Sequence, residues 1–298
     1  MEAQQTRHRA GFVNIIGNPN VGKSTLMNAL VGEKLCIVTA KAQTTRHRIM
    51  GIVNTEDYQI VYSDTPGILK PGYRLQRNMM NFVDTAIGDA DIILYVTDVV
   101  EKSDKNAEYV EKLRQVTCPV ILVINKIDIS QQDKVLQLME YWKEQLPQAQ
   151  IIPVSARERF NLDSVFEAIL QKLPVSPPWF DKDAFTDRNL RFFASEIIRE
   201  KILLNYAEEI PYSCEVAVEA FKEGEERYEI SAVIYVMRDS QKGILIGKGG
   251  SALKKLGTQA RLEMEDFFQK KVYLSLFVKV DKDWRESRKE LRRFGYED

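Results

Sequence analysis

A short run of residues near the start of the chain has the spacing of a phosphate-binding loop. It reads G-N-P-N-V-G-K-S and matches the pattern G-x-x-x-x-G-K-[ST]. Glycines let backbone N–H groups turn towards phosphate oxygens, the lysine reaches the β and γ phosphates, and the serine hydroxyl ligates Mg²⁺. The residues predicted to contact the nucleotide here are Gly17, Asn18, Pro19, Asn20, Val21, Gly22, Lys23, Ser24 and Thr25. The loop predicts a nucleoside triphosphate site but does not identify the base.

Three later motifs, in a fixed order, identify the base as guanine. In D-T-P-G-I the aspartate can hold Mg²⁺ through water, and the glycine offers an N–H near a γ-phosphate. In N-K-I-D the last carboxylate can accept from two guanine donors that adenine lacks, which excludes the wrong base strongly. A following S-A can offer a backbone N–H to the guanine oxygen. These residues are Asp64, Thr65, Pro66, Gly67, Ile68, Asn125, Lys126, Ile127, Asp128, Ser155 and Ala156.

Each motif follows a short apolar run that predicts a buried strand. The runs alternate with amphipathic segments, which is typical of a doubly wound, mostly parallel α/β sheet. Ligands of such sheets bind at the carboxyl ends of the strands, where these motifs lie. After the loop strand we predict strands over 49–53, 58–62, 92–96, 120–124 and 151–154 and helices over 104–115, 132–145 and 162–173. The residues between 68 and 91 are interpreted as a polar segment.

The composition is that of an ordinary protein with about two domains. The 298 residues are 44% hydrophobic and 29% charged with a net charge of −1, so evidence for nucleic acid or membrane binding must be local. Cys36, Cys118 and Cys214 are widely spaced, which favours a reducing cytoplasm over disulfides or a structural zinc. The polar N-terminus lacks a signal-peptide core, and no apolar run is long enough to span a bilayer. We expect a cytoplasmic protein, with any membrane association peripheral.

Three prolines between residues 174 and 178 predict a stiff connector between two domains. We predict a GTP-binding domain over 1–174, a proline-rich linker over 175–182 and a second domain over 183–298. The tail at 284–294 predicts a short helix whose apolar side packs on the second domain. Its basic side is open to three interpretations: contact with RNA, contact with acidic lipid, or solvation.

The second domain has the element order of a type II K-homology (KH) domain, which is an α+β fold. Helix, two strands, helix, G-x-x-G loop, helix and strand follow one another, and the loop lies in a locally basic region. In such domains the G-x-x-G loop clamps the backbone of single-stranded RNA. The residues predicted to bind RNA are Ile246, Gly247, Lys248, Gly249, Gly250, Lys254 and Lys255.

The nucleotide motifs resemble those of small GTP-binding proteins, and the whole chain resembles the bacterial Era family. That resemblance includes A-Q-T-T-R at 42–46 and A-S-E-I-I-R-E-K at 194–201. It implies a GTPase that binds the 3′ end of 16S ribosomal RNA and assists assembly of the small (30S) ribosomal subunit, as a monomer. It also implies two nucleotide-dependent switches, at 32–48 and 68–84, and a threonine that ligates Mg²⁺ with Ser24. Thr45 is favoured over Thr44 for that role.

At one position the sequence departs from the pattern of small GTP-binding proteins in a way that affects catalysis. Ile68 occupies the position where many related enzymes have a water-orienting glutamine, and isoleucine cannot activate water, so slow intrinsic hydrolysis is expected. Related GTPases with this substitution use K⁺ held by the loop asparagine, which is Asn20 here. The predicted catalytic residues are therefore Lys23, Asn20 and Thr45.

Two functions of other classes compete with an RNA-binding GTPase. One is a membrane-peripheral regulatory GTPase whose basic C-terminal region contacts lipid and protein partners. The other is an ATP-dependent small-molecule kinase, which the guanine-reading Asp128 disfavours.

Overall fold

The computed structural model describes residues 8–102 and 107–297, which group into two units by their contacts. The first unit holds the described residues up to Cys36, together with Thr45–Pro71 and Gln76–Asp187. The second holds Ile37–Thr44, Gly72–Leu75 and the described residues from Arg188 onwards.

The first unit is built on a six-stranded sheet in the order β2-β3-β1-β4-β5-β6. Only β2 is antiparallel to its neighbour, so the predicted doubly wound, mostly parallel sheet is confirmed. The strands are β1 (Arg9–Gly17), β2 (Ile49–Asn54), β3 (Tyr58–Asp64), β4 (Ile92–Asp98), β5 (Val120–Asn125) and β6 (Gln150–Pro153).

The register of this sheet brings the predicted motifs to one edge. In the pairing of β1 with β4, Gly17 lies opposite Val96, and in the pairing of β4 with β5, Asp98 lies opposite Asn125. Because β4 lies between β1 and β5, its carboxyl end lies at the same edge of the sheet as the phosphate loop and the guanine motif.

The helices of this sheet follow the predicted positions with one exception. They are α1 (Lys23–Val31), α2 (Arg74–Gly88), α3 (Ala107–Gln115), α4 (Gln132–Gln145) and α5 (Leu162–Lys172). The predicted start of α3 at residue 104 lies outside the described residues. The interpretation of 68–91 as a polar segment was wrong, because this stretch contains α2, which buries Met79, Met80, Val83 and Ala86.

The predicted linker and the residues after it, up to Asp187, form an extended strap that lies on the first unit. The side chain of Gln59, fully buried, accepts from Trp179 N at 2.7 Å and Phe180 N at 3.0 Å and donates to Phe180 O at 2.8 Å. Further along, Ile52 N donates to Phe185 O at 2.9 Å, which pairs the strap with the edge strand β2. The contacts therefore change from one unit to the other after Asp187 rather than after residue 182, because the strap satisfies its backbone polar groups on the sheet.

The second unit is a three-stranded sheet in the order β7-β8-β9, with β7 antiparallel and β9 parallel to β8. The elements are α6 (Leu190–Asn205), α7 (Ile210–Ser213), β7 (Glu215–Glu223), β8 (Arg227–Val236), α8 (Asp239–Ile246), α9 (Ser251–Phe268), β9 (Lys271–Val280) and α10 (Arg288–Arg293). Apart from the short α7, this is the predicted order. Buried aliphatic residues of α6, α9 and the sheet form one core.

The C-terminal segment covers part of the other face of that sheet. Trp284 and Leu291 are both fully buried, so the predicted packing of the tail's apolar side is confirmed. The ring of Phe294 lies 5.3 Å from that of Tyr235, and Trp284 donates from Nε1 to Ser213 O at 3.1 Å.

The second unit also contains two short segments from the predicted switches, residues 37–44 and 72–75. Arg199 is almost fully buried and forms an ion pair with Glu196 at 2.5 Å. Its guanidinium also donates to the carbonyl of Thr44. Part of the first predicted switch is thus held by a buried side chain of α6.

Candidate nucleotide site and nucleic-acid groove

The phosphate loop has the backbone that its glycines predict. Gly22 has φ of +95°, and a Cβ there would lie 2.3 Å from Asn125 Nδ2, so this position requires glycine. Lys23 donates from Nζ to Gly17 O at 3.1 Å and to Asn18 O at 2.9 Å. Burial lowers the pKa of Lys23 to about 8, although the negative charge of Asp64 opposes this shift. The ammonium thus lies folded back on the loop that is predicted to receive phosphate.

Three oxygen-bearing side chains converge beside this loop. Ser24 donates from Oγ to Asp64 Oδ2 at 2.6 Å, and Thr45 donates from Oγ1 to the same oxygen at 3.1 Å. The two hydroxyl oxygens are 2.9 Å apart. The hydroxyl of Thr44 points elsewhere, to Thr39 Oγ1 and Lys41 O, each at 2.7 Å. Of the two candidate threonines, the structure brings only Thr45 into the cluster.

This cluster fits a hard cation that prefers oxygen ligands. Asp64 Oδ1 is buried and has no hydrogen-bond partner among the described residues. Burial raises the pKa of Asp64, and the nearby Lys23 ammonium opposes this effect. A divalent cation would stabilise the charged carboxylate at this position. The donor set and the unpaired oxygen are therefore suited to Mg²⁺.

The segment after Asp64 folds back over the phosphate loop. Thr65 donates from Oγ1 to Ile15 O at 2.7 Å, and Ile68 N donates to Gly17 O at 3.1 Å. A Cβ on Gly67 would lie 2.7 Å from the backbone of Pro19, so the two predicted motifs are in close contact. The side chain of Ile68 is buried, at 2% exposure.

Hydrogen bonds connect the guanine motif to the S-A motif and to the phosphate loop. Ser155 donates from Oγ to Asp128 Oδ1 at 2.6 Å, which orients the carboxylate predicted to recognise guanine. Asn125 donates from Nδ2 to Val21 O at 2.8 Å and accepts from Ala156 N at 3.0 Å. The structure thus brings the S-A motif and the phosphate loop to the same place as N-K-I-D.

Asn20 presents an exposed side-chain oxygen in the phosphate loop. Its φ of +66° is left-handed, and its backbone carbonyl accepts from Lys126 Nζ at 2.6 Å. Its exposed side chain has no hydrogen-bond partner among the described residues.

Two carboxylates beside the site were missed in the sequence. Asp98 pairs with Lys126 at 2.6 Å, and Glu101 accepts from Asn18 Nδ2 at 2.6 Å. Asp98 directly ends a strand, and that position could have identified it as a site candidate. Glu101 belongs to no motif.

The second unit has a groove beside its G-x-x-G loop. Lys254 lines this groove, whereas Lys255 is exposed outside it. Apolar and basic side chains of α9 face two leucines of β9 across it. The lining residues are Gly250, Leu253, Lys254, Gly257, Thr258, Arg261, Leu274 and Leu276, of which only the first and third were predicted. The others were missed because α9 and β9 meet only in the folded unit.

The loop itself is a tight turn between α8 and α9. Gly247 has φ of +71°, and a Cβ there would lie 2.6 Å from Ala252 Cβ, so a side chain at this position would be strained. Gly250 N donates to Gly247 O at 3.1 Å and closes the turn. Lys248 and Gly249 at its tip are exposed, which leaves the backbone accessible to a nucleic-acid strand.

Family models match both units. Residues 12–126 match a model described as a 50S ribosome-binding GTPase, and residues 209–285 match a KH domain.

Relatives match the full chain. A GTPase Era from Staphylococcus haemolyticus is 44% identical over 293 residues, which are 98% of each chain. The chloroplastic GTPase ERA1 of Zea mays is also 44% identical, over 97% of this chain and 71% of its own length.

Solved structures agree. Aquifex aeolicus Era bound to GDP.AlF4⁻ has a TM-score of 0.93 and 39% identity, covering 97% of this chain and 100% of that one. A complex of Era with MgGDPNP and nucleotides 1506–1542 of 16S ribosomal RNA has the same score and identity, with coverages of 98% and 100%.

Proposed function

Because this chain belongs to the Era family of GTPases, we propose that it is a GTP-hydrolysing switch that binds the 3′ end of 16S ribosomal RNA during assembly of the small ribosomal subunit. The observation that carries the proposal is the convergence of Ser24, Thr45 and Asp64 beside the phosphate loop. The solved complex of an Era relative with MgGDPNP and 16S ribosomal RNA supports both the nucleotide and the RNA.

In the nucleotide site, Ser24 and Thr45 ligate Mg²⁺ directly, and Asp64 holds it through water. When bound, Mg²⁺ neutralises charge on the β and γ phosphate oxygens. Lys23 leaves the carbonyls of Gly17 and Asn18 and turns to the phosphates. Thr45 and Gly67 recognise the γ-phosphate, so hydrolysis releases the two switches at 32–48 and 68–84.

The guanine end of the site selects the nucleotide. Asp128 accepts from the ring N–H and the exocyclic amine of guanine, in the orientation that Ser155 supports. Ala156 N donates to the guanine oxygen. A ligand without these donors leaves polar groups unpaired and is rejected.

The RNA-binding part of the proposal rests on the groove and its loop. The backbone of Gly247 to Gly250 receives the sugar–phosphate chain, and Lys248 and Lys254 contact phosphates. The leucine-lined floor receives bases. Arg261, which forms an ion pair with Glu265 at 2.9 Å, lies on the same wall and joins the proposed contacts.

Gly247→Asp tests the RNA groove directly. It adds a strained side chain and a negative charge to the turn, so affinity for a single-stranded RNA with the 16S 3′ sequence should fall roughly 10- to 100-fold in filter binding, the equivalent of about 1.5–3 kcal/mol. Gly88→Asp is the matched control, because Gly88 is exposed and a Cβ there meets nothing within 4 Å. Full RNA affinity in the Gly247 variant would refute the clamp.

Catalysis is proposed to use K⁺ bound through Asn20, because buried Ile68 cannot activate water. The free side-chain oxygen of Asn20 at the loop is available to the ion. Turnover of GTP in KCl should exceed that in NaCl, and Asn20→Ala should remove the difference. Equal rates in the two salts, or a K⁺ effect that survives the substitution, would exclude this role.

We also propose that the protein is a monomer in the cytoplasm, and the lack of a disulfide at any of its three cysteines fits that reducing compartment. None of the described helices has the length and hydropathy needed to cross a bilayer. The basic tail is partly neutralised within the protein: Arg293 pairs with Glu219 at 2.5 Å and Arg288 with Glu297 at 3.5 Å. These ion pairs disfavour the peripheral-membrane alternative, which sedimentation with anionic vesicles would test.

A further inference from the structure

The end of β4 and the turn after it carry two carboxylates that reach the two ends of the proposed nucleotide site, Asp98 through Lys126 and Glu101 through Asn18. Asp98 is 4% exposed, and its Oδ1 accepts from Val100 N and Glu101 N, both at 2.8 Å. These two bonds fix the orientation of the carboxylate and the shape of the turn.

Asp98 acts on the guanine end of the site through Lys126. Its Oδ2 lies 2.6 Å from Lys126 Nζ, and that ammonium also donates to Asn20 O at 2.6 Å. Lys126 and Asn20 both have left-handed backbones, with φ of +62° and +66°. Non-glycine residues keep such conformations only where surrounding contacts hold them. The bridge from Asp98 through Lys126 to Asn20 supplies such contacts.

Glu101 acts on the phosphate end. Its Oε2 accepts from Asn18 Nδ2 at 2.6 Å, and its Oε1 accepts from Thr97 Oγ1 at 2.5 Å. Asn18 is in turn the residue whose carbonyl accepts from Lys23 Nζ at 2.9 Å. The side chain of Glu101 therefore fixes the loop next to its catalytic lysine.

We propose that the Asp98–Glu101 turn is a two-sided brace that shapes the nucleotide site before the ligand binds. Asp98 is a positioning residue for the guanine end, and Glu101 is a positioning residue for the phosphate end. The inference rests on the proposed nucleotide site and assigns it two residues outside its motifs. Preorganisation of this kind increases affinity by reducing the ordering cost of binding.

The two ends should respond differently to isosteric substitutions. Asp98→Asn places an amide donor against the Lys126 ammonium, so GDP and a non-hydrolysable GTP analogue should lose affinity by the same factor, roughly 10-fold, because both contain guanine. Glu101→Gln weakens the hold on Asn18 beside Lys23. The GTP analogue should then lose more affinity than GDP, because only it makes the γ-phosphate contact. Displacement of a fluorescent guanine nucleotide measures, for each variant, the affinity for GDP and for the GTP analogue relative to the wild type.

Two controls separate positioning from general destabilisation. Glu111→Gln removes an exposed ion pair to Arg114 and should change neither affinity. In a Lys126→Ala background, Asp98→Asn should have almost no further effect on affinity, since the two act as one unit. Unchanged nucleotide affinities in both Asp98→Asn and Glu101→Gln would overturn the inference. It would also be overturned if each variant lost affinity for GDP and for the GTP analogue by the same factor and had a lower melting temperature. If the wild type binds no guanine nucleotide, the proposed function itself fails.

Discussion

The nucleotide site and the RNA groove are built in opposite ways. In the first, polar side chains already bond one another: Asp64 is bonded by Ser24 and Thr45, and Asp128 by Ser155. By contrast, Lys248 at the tip of the G-x-x-G loop and Lys254 in the groove are exposed and form no ion pair within the described chain. A site of prearranged, paired groups imposes strict selection on its ligand, whereas exposed surface charges bind phosphate with little sequence preference. The first is therefore suited to recognising one base, and the second to holding a strand.

The largest effect should come from changing the base-reading carboxylate. Asp128→Asn exchanges one acceptor for a donor, so GTP affinity should fall roughly 10²- to 10³-fold, the equivalent of about 3–4 kcal/mol, while binding of xanthosine triphosphate improves. Competition between the two nucleotides measures the change. An unaltered preference for guanine would contradict the strict-selection account of this site.

A smaller loss of activity is expected when a predicted Mg²⁺ ligand is removed. The neighbouring residues Thr44 and Thr45 provide a matched pair of variants for this test. Thr45→Ala removes a hydroxyl from the cluster and should lower GTPase turnover roughly 10- to 100-fold and weaken its dependence on Mg²⁺. Thr44→Ala removes the hydroxyl that bonds Thr39 and Lys41 instead, so it should leave Mg²⁺ dependence unchanged. Titration of activity with Mg²⁺ distinguishes them. A reversed result would assign the ligand to Thr44.

The smallest effect should be found in the groove. Lys254→Ala removes one phosphate contact, so RNA affinity should fall similarly for all sequences, and the dependence of log affinity on log salt should become shallower by about 0.7 for a single strand. Lys255→Ala is the control, because Lys255 does not line the groove. A loss confined to one RNA sequence would show that the groove reads bases through this lysine.

The positions of motifs that are contiguous in sequence could be predicted. Gly17 to Ser24 and Asn125 to Asp128 each begin at the end of a strand, so the order of the strands brings them to one edge of the sheet. Thr45 was identified through the resemblance, and its hydroxyl lies at Ser24 as expected.

Features that depend on distant partners could not be predicted. Glu101 bonds Asn18, which is 83 positions away, so no local pattern marks it. The prolines of the strap indicate stiffness but not the buried Gln59 to which it binds. Helix α2 is a different case: Met79, Val83 and Ala86 have helical spacing, but the surrounding polar residues obscured it.

The central claim is that the nucleotide site and the groove are parts of one GTP-hydrolysing switch that binds 16S ribosomal RNA. Crosslinking in cells, followed by sequencing of the RNA bound to the wild type and to Gly247→Asp, tests it most directly. We predict that the wild type enriches the 3′ end of 16S ribosomal RNA and that the variant loses this enrichment while it still binds GTP. Equal RNA recovery with both proteins, or no enrichment of that RNA, would contradict the account.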